Sequence, residues 1–298
     1  MLLSKITVGF IGAGNIAQAL VCGMIASGLF FIFSFQCTLC FCLSHSGKLR
    51  ANQLSASAPQ WDTVNLDKMK KMNIRTTSDN AQVVNESEVI LLAVKPSIVR
   101  EVCNEIQWLS TPANEKLLVS LAAGVSIADI EQFCPAGYRV ARVMPNTAVA
   151  VMEGTSLFCL GRTCKPEDFK LIEDMFSSVG YALQVPEQLF DAAVGLSGCG
   201  PAYMYLTLEA LAEGAVKLGL TRDVALKLAA HTMRGAATMV IETGTHPGVL
   251  REAVESPGGA TVCGVHELEK HAYRSALICA VEAAAMKSAQ LVNKTKNY

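Results

Sequence analysis

The sequence is short of charge and spreads it unevenly. Only 17% of its residues are Asp, Glu, Lys or Arg, the formal net charge is −1, and no charged residue occurs between Lys5 and Lys48. Near-neutrality argues against a partner held by bulk charge, so neither nucleic acid nor an anionic membrane surface is expected. The chain has no H-E-x-x-H pair and no Ser-His-Asp signature, which removes the common zinc-hydrolase and serine-hydrolase readings. His231, His246, His266 and His271 lie without ligand spacing and read as surface or helix-end histidines, so no metal is expected. Eleven cysteines in 298 residues, scattered outside one stretch, read as reduced, buried thiols rather than a disulfide framework. With 51% hydrophobic residues the chain is globular and long enough for one large domain or two.

What is present begins with ITVGFIGAGNIAQAL, Ile6 to Leu20. A short apolar run ends in Gly12-Ala13-Gly14-Asn15-Ile16-Ala17, after which apolar residues recur at helical spacing. This is a strand, a tight turn and a helix with G-x-G-x-x-A at the junction, the pattern of a dinucleotide site. Gly12 permits the turn, Gly14 lets the backbone approach a pyrophosphate, and small Ala17 lets the helix pack on the strand. The helix N-terminus offers N–H groups to the phosphates. The cofactor-binding candidates here are Ile11, Gly12, Ala13, Gly14, Asn15 and Ile16.

The same pattern expects a second strand reaching the adenosine ribose about 20 residues beyond the glycines. The candidate is NQLSASAP, Asn52 to Pro59, yet Ser57 lies 43 residues past Gly14. Removing Leu29 to Gly47, nineteen residues, cuts the gap to 24 and joins an ordinary helix, loop and strand. GLFFIFSFQCTLCFCLSHSG, Gly28 to Gly47, therefore reads as an apolar insertion with no structural role, a translated intron or variant exon between repeated Ser-Gly pairs. A membrane span over Val21 to Leu43 has the length, but it would pull the first helix out of the site it completes. Cys37, Cys40, Cys42 and His45 crowd four ligands into nine residues, too little chain to wrap a tetrahedron. The second strand ends without Asp or Glu and offers Ser55 and Ser57, with Asn80 further on, which favours NADPH over NADH.

The strand–helix alternation continues through Val89–Val94, Leu117–Ser120 and Tyr138–Val143, and the pair TSLFCL and YALQV extends the sheet to about Val185. The expected fold is α/β: a Rossmann-type doubly wound sheet over residues 1–186, carrying the insertion at 29–47, followed by an all-α domain over 187–298. Such sheets bind ligands outside the carboxyl ends of their strands. Those ends are Ala93, Val94, Lys95 and Pro96; Ala122, Ala123 and Gly124; and Met144-Pro145-Asn146. Lys95 is placed beside the nicotinamide, though a plain solvated lysine fits there equally. In the helical half, Pro201 opens one helix that stops at Gly219, and Thr221 caps another that stops at Gly244. A third helix follows with HPGVLREAVES, and a long alanine-rich one spans Ser275 to Val292. Runs such as ALICAVEAAAMKSA are apolar over more than one stripe and suggest burial against a partner chain. Ser256-Pro-Gly-Gly-Ala-Thr261 fits an anion nest for a small carboxylate, with the Thr261 hydroxyl beside it, and equally a C-cap and turn. No acid–base residue stands out, which suits a substrate that is already electrophilic.

These motifs resemble one family, the pyrroline-5-carboxylate reductases. VGFIGAGNIAQAL, AVKP, SLAAGV, RVMPNTAVAVMEG, GLSGCGPAY, EALAEGAVKLGL and HPGVLREAVESPGGATVCGVHELE run in order across nearly the whole chain. The resemblance implies reduction of Δ1-pyrroline-5-carboxylate to L-proline with NADPH or NADH, and a homodimer of interlocking C-terminal helices built into larger homo-oligomers. It implies a pyrophosphate on Gly12 to Ile16, the adenosine end near Ala58 and Asn80, and the nicotinamide on Ala93 to Pro96 and Ala122 to Gly124. The substrate carboxylate would rest on Gly258, Gly259, Ala260 and Thr261, with the Thr261 hydroxyl bonded to the ring nitrogen as the catalytic residue. Ala58 and Gly244 stand where some members carry serine and glutamate, and Cys199 replaces a common serine. Rival readings are a β-hydroxyacid dehydrogenase, which needs a lysine where this chain has Ser197-Gly-Cys199-Gly-Pro, and a non-catalytic nucleotide binder. A cytoplasmic location is expected, with mitochondria left open, because no Arg-rich presequence is present.

Overall fold

The computed structural model describes residues 6–25, 49–106 and 115–295. Strands and helices alternate from the start: β1 (Val8–Ile11), α1 (Asn15–Met24), β2 (Leu54–Ser57), α2 (Thr63–Lys71), β3 (Arg75–Thr77), α3 (Asn80–Glu86), β4 (Val89–Leu92) and α4 (Val99–Glu105). The alternation goes on with β5 (Leu117–Ser120), α5 (Ile127–Phe133), β6 (Arg139–Pro145), β7 (Gly154–Leu160), α6 (Pro166–Phe176) and β8 (Gly180–Gln184). The eight strands form one sheet in the order β3-β2-β1-β4-β5-β6-β7-β8. All neighbours are parallel except β6 and β7.

The short strands are apolar on both faces because helices cover both. Val8, Phe10, Val89, Leu91, Leu117 and Val119 point into one core with Ala17, Leu20, Val21 and Met24 of α1. Ile11, Ile90, Leu92 and Leu118 point into the other, with Val83 and Val84 of α3 and Ile130 of α5. The second strand is shorter than expected, because Ala51–Gln53 forms a 3₁₀ turn before it. Strand β3, Arg-Thr-Thr, was not expected at all: three polar residues carry no periodicity, and pairing with β2 alone makes it a strand.

The remaining helices are α7 (Glu187–Ser197), α8 (Gly200–Lys217), α9 (Arg222–Thr243), α10 (Pro247–Val254), α11 (Ala260–Lys270) and α12 (Tyr273–Thr295). The chain divides into two compact units: residues up to Gly198 with those from Ala284 onward, and Cys199–Ala283. Helix α7 goes with the sheet, since Phe190 and Val194 lie in the core that also holds Ile11 and Leu92. As the sequence suggests, α9 follows an extended Thr221, although no Thr221 side-chain bond caps it, and it ends on left-handed Gly244. His231, His246, His266 and His271 are exposed, His246 capping α10 by accepting from Gly248 N at 3.1 Å. Cys103, Cys134 and Cys159 are buried, but Cys263 and Cys279 are exposed, against the expectation of buried thiols. Both sit on helices of the second unit, where few side chains of any kind are buried. No helix of the described residues is long and apolar enough to cross a membrane.

Lys116 is the one lysine buried to 4% among the described residues. Its ammonium donates to the carbonyls of Val84, Asn85 and Ser87, at 2.5, 3.2 and 2.9 Å, closing the C-terminal end of α3. Burial pushes its pKa down, and the carboxylates of Glu88 and Glu115 act the other way. Lys116→Met keeps the apolar stem and strands the carbonyls. It should cost roughly 1–3 kcal/mol, read as a lower denaturation midpoint.

The expectations for residues 29–47, and for Cys37, Cys40, Cys42 and His45, fall outside the described residues. The positions on either side are described. Leu49 N donates to Met24 O at 2.7 Å, Ile25 and Leu49 form a parallel bridge, and Met24 and Leu49 are each 1% exposed. The core thus closes across 26–48. Deleting Leu29–Gly47 leaves Ala26, Ser27, Gly28 and Lys48 to join Ile25 to Leu49. The shortened chain should unfold cooperatively at no lower temperature than the full chain, as thermal circular dichroism would record.

Candidate functional site

The carboxyl ends of the central strands lie in one row because the register is shared: Ile11 pairs with Ser57 and with Leu92, and Leu92 with Ser120. The loops leaving those ends therefore start side by side. Gly12 N donates to Ser57 O at 2.8 Å, Ala93 N to Ile11 O at 2.8 Å, and Leu121 N to Leu92 O at 3.0 Å.

Gly12 has a φ of +102°, and a Cβ there would sit 2.5 Å from Ala93 O. Only glycine meets both demands. At Gly14 the situation is reversed, since apart from its own stretch of chain nothing described lies within 4 Å of where a Cβ would be. Gly14 is the N-cap of α1, its side chain is absent, and no other side chain caps the helix. An open backbone followed by uncapped N–H groups of a ten-residue helix is a cradle for a phosphate. Ala17 is fully buried, as its packing role requires.

At the end of β2, Ser57 Oγ donates to Asn80 Oδ1 at 2.7 Å, and Ala58 N donates to Thr77 O at 3.2 Å. The unexpected strand β3 thus completes this corner. Ala58 is buried and Asn80 half-buried. On the other side of β1, Ala93 and Val94 are half-buried, Lys95 and Pro96 exposed, and Ala122 and Gly124 buried around half-buried Ala123. Ser120 Oγ accepts from Ala122 N at 3.3 Å, and Gly124 takes a φ of +72°. Asn146, after β6, accepts from Ala148 N at 3.1 Å and Thr155 N at 3.2 Å and donates to Ser197 O at 3.1 Å. That residue, recognised in the sequence only as a strand end, ties β6 and β7 to the last turn of α7.

The edge of the sheet therefore gathers Ile11 to Ile16, Ala58, Asn80, Ala93 to Pro96 and Ala122 to Gly124. The other candidates, Gly258 to Thr261, belong to the helical unit. There Gly258 has a φ of +68°, Gly259 N donates to Ser256 O at 2.9 Å, and α11 starts at Ala260 without a side-chain cap. Turn and nest are the same structure here: a tight turn that leaves the first N–H groups of an eleven-residue helix uncapped, with exposed Thr261 at its second position.

One buried group was missed by reading the motifs. Gln18 is 5% exposed on α1, donating to Ala13 O at 2.7 Å and to Asn65 Oδ1 at 2.9 Å. The available signal was a polar residue one turn before buried Val21, at i, i+3 on α1.

A G-x-G-x-x-A turn at the centre of a parallel sheet, with an uncharged strand end beside it, defines a dinucleotide-dependent oxidoreductase. Residues 7–124 match the family model described as NADP oxidoreductase, coenzyme F420-dependent, and residues 187–291 match the one described as pyrroline-5-carboxylate reductase dimerisation. A pyrroline-5-carboxylate reductase of Arabidopsis thaliana is 41% identical over 284 residues, 95% of each chain. One from Methanosarcina acetivorans is 41% identical over 287 residues, 96% of this chain and 98% of the other. The crystal structure of the Plasmodium falciparum pyrroline carboxylate reductase with NADP bound superposes with a TM-score of 0.79 at 29% identity, covering 97% and 98% of the two chains. The Coxiella burnetii enzyme superposes at 0.83 with 33% identity, covering 96% and 98%. The chain belongs to the pyrroline-5-carboxylate reductase family.

Gly12→Ala tests the turn directly. The methyl group faces a left-handed φ and the Ala93 carbonyl together, a strain of roughly 1–3 kcal/mol or more. The KM for the dinucleotide should rise by about tenfold at least. Initial-rate kinetics beside a melting curve would separate this from global unfolding.

Proposed function

We propose that this chain reduces Δ1-pyrroline-5-carboxylate to L-proline, using NADPH in preference to NADH. The observation that carries the reading is the pair of uncapped helix starts, α1 after Gly12-Ala13-Gly14 and α11 after Gly258-Gly259, each following a glycine turn. The first suits a pyrophosphate and the second a small carboxylate.

The pyrophosphate is assigned to Gly12 through Ile16, the adenosine end to Ala58 and Asn80, and the nicotinamide side to Ala93–Pro96 and Ala122–Gly124. NADPH is favoured because β2 ends in Ser57 and Ala58 without a carboxylate. With Asn80 Oδ1 accepting from Ser57, the amide nitrogen is the atom Asn80 can offer to a phosphate oxygen.

A dinucleotide held on Gly12 to Ile16 would supply a hydride to the ring carbon of the C=N bond. That nitrogen already carries a proton near neutral pH, so the accepting group is an iminium and the product amine needs no proton from the protein at that step. What the chain contributes is orientation and exclusion of water. The N–H groups at Ala260 and Thr261 hold the carboxylate, and the Thr261 hydroxyl accepts from the ring N–H. Lys95 sits at the rim as a charge beside the nicotinamide loops and is given no proton-transfer role.

The active species is proposed to be a homodimer joined through α8–α12, with larger assemblies built from it. The Cys199–Ala283 unit has almost no core of its own: Ala212, Ala225 and Ala229 are its buried hydrophobic side chains among the described residues. Leu206, Ile241, Val254 and Ile278 are each more than 60% exposed. Helices with that much bare apolar surface fit an obligate interface.

Purified protein should consume NADPH in the presence of pyrroline-5-carboxylate and not with a β-hydroxyacid or its keto form. Thr261→Ala should lower kcat/KM for pyrroline-5-carboxylate by about tenfold or more, the worth of one oriented hydrogen bond in a dry site. An unchanged value would remove Thr261 from the mechanism.

A further inference from the structure

The Ala13–Gly14 peptide carries the first backbone group that the proposed pyrophosphate site needs, and a side chain holds its other end. Gln18 Nε2 lies 2.7 Å from Ala13 O and 2.9 Å from Asn65 Oδ1, and Gln18 is 5% exposed. The orientation of this amide is fixed at both ends. Ala13 O can only accept, so the Gln18 atom facing it is the NH₂ group. Asn65 Nδ2 lies 3.0 Å from both oxygens of Asp62, which also only accept, so the Asn65 atom facing Gln18 is the oxygen. The two assignments agree, and both hydrogens of Gln18 Nε2 are used.

A trans peptide is planar, and its C=O and N–H point in opposite directions. Drawing Ala13 C=O inward onto Gln18 therefore turns Gly14 N–H the opposite way, away from the Gln18 amide. We propose that Gln18 is a positioning residue for cofactor binding: its amide locks the Ala13–Gly14 peptide so that Gly14 N–H faces the pyrophosphate, and Asn65 and Asp62 hold the amide in place. The relay also joins the turn to α2, the helix that follows the adenosine-side strand. The inference rests on the dinucleotide site proposed above.

The test replaces the donor without changing the shape. Gln18→Glu puts an acceptor opposite Ala13 O while ionised and restores an O–H donor when protonated. Burial and the Asp62 carboxylate beyond Asn65 both favour protonation. The nearest titratable group on α1 itself is Cys22, one turn on, whose Sγ lies 3.3 Å from Met72 Sδ. The readout is the dissociation constant for NADP⁺, which is stable in acid, by calorimetry between pH 5.5 and 8 for the full chain and its variants.

Gln18→Glu should bind NADP⁺ at least about tenfold more weakly than wild type at pH 8. The ratio to wild type should shrink as the pH falls, and kcat at saturating NADPH should stay near the wild-type value. Gln18→Met, which cannot donate at any pH, should stay weak throughout. Equal affinity of Gln18→Met and wild type, or a Gln18→Glu deficit that ignores pH while the melting temperature is unchanged, would overturn the proposal. If Gln18→Glu does not fold, Asn65→Ala decides instead. It loosens the amide from outside the site and should raise the KM for NADPH several-fold with kcat retained, whereas an unchanged KM sinks the relay. Failure of the wild-type chain to bind NADP⁺ at all would overturn the dinucleotide reading itself, a result distinct from any of these.

Discussion

Gly12 is the point on which the site turns. Strand β1 is hydrogen-bonded on both sides, so its end cannot move without moving β2 and β4. The chain has to leave that end in a left-handed conformation, close against Ala93 O, and still give its N–H to Ser57. One residue therefore fixes the end of β2, the loop after β4 and the starting direction of α1. The open cradle at the start of α1 follows from that direction, since the uncapped N–H groups point wherever the helix does. Charge has little part in it, which agrees with a chain of net charge −1.

The helical unit is organised by the opposite constraint. The sheet unit buries its apolar residues on two faces of its own layers, whereas α10 and α11 bury none of theirs. A unit of this length with so little core is not expected to hold together alone. Its stability and its assembly are then one quantity, dependent on protomer concentration. The match of residues 187–291 to a dimerisation family points the same way.

Much of this was readable in the residues, and the exceptions have physical reasons. Short apolar runs such as Val89–Leu92 and residues 117–119 announce themselves because both faces are covered. The G-x-G-x-x-A turn does so because each small residue answers a separate steric demand. Strand β3 was invisible, since Arg75, Thr76 and Thr77 become a strand only through β2. The attachment of α7 to the sheet was hidden because an amphipathic helix does not state which surface it covers; Phe190 under the Arg142 guanidinium, 4.2 Å from the ring centre, supplies that answer. Gln18 escaped because a lone glutamine in a helix reads as solvated until its partners, 5 and 47 residues away, are brought to it.

The same contrast runs through the chemistry. Motif reading looks for groups that donate or take protons, and among the described candidates at the strand ends exposed Lys95 alone carries a titratable side chain. That is coherent for a substrate whose nitrogen arrives protonated, because the remaining barrier is one of approach and alignment. The turns themselves are held by amides, half-buried Asn146 on Ser197 and buried Gln18 on Ala13. Such groups leave almost no signature in composition or spacing. In a chain of this kind the residues easiest to recognise are the small ones that make the turns, and the polar side chains behind them are the ones the sequence conceals.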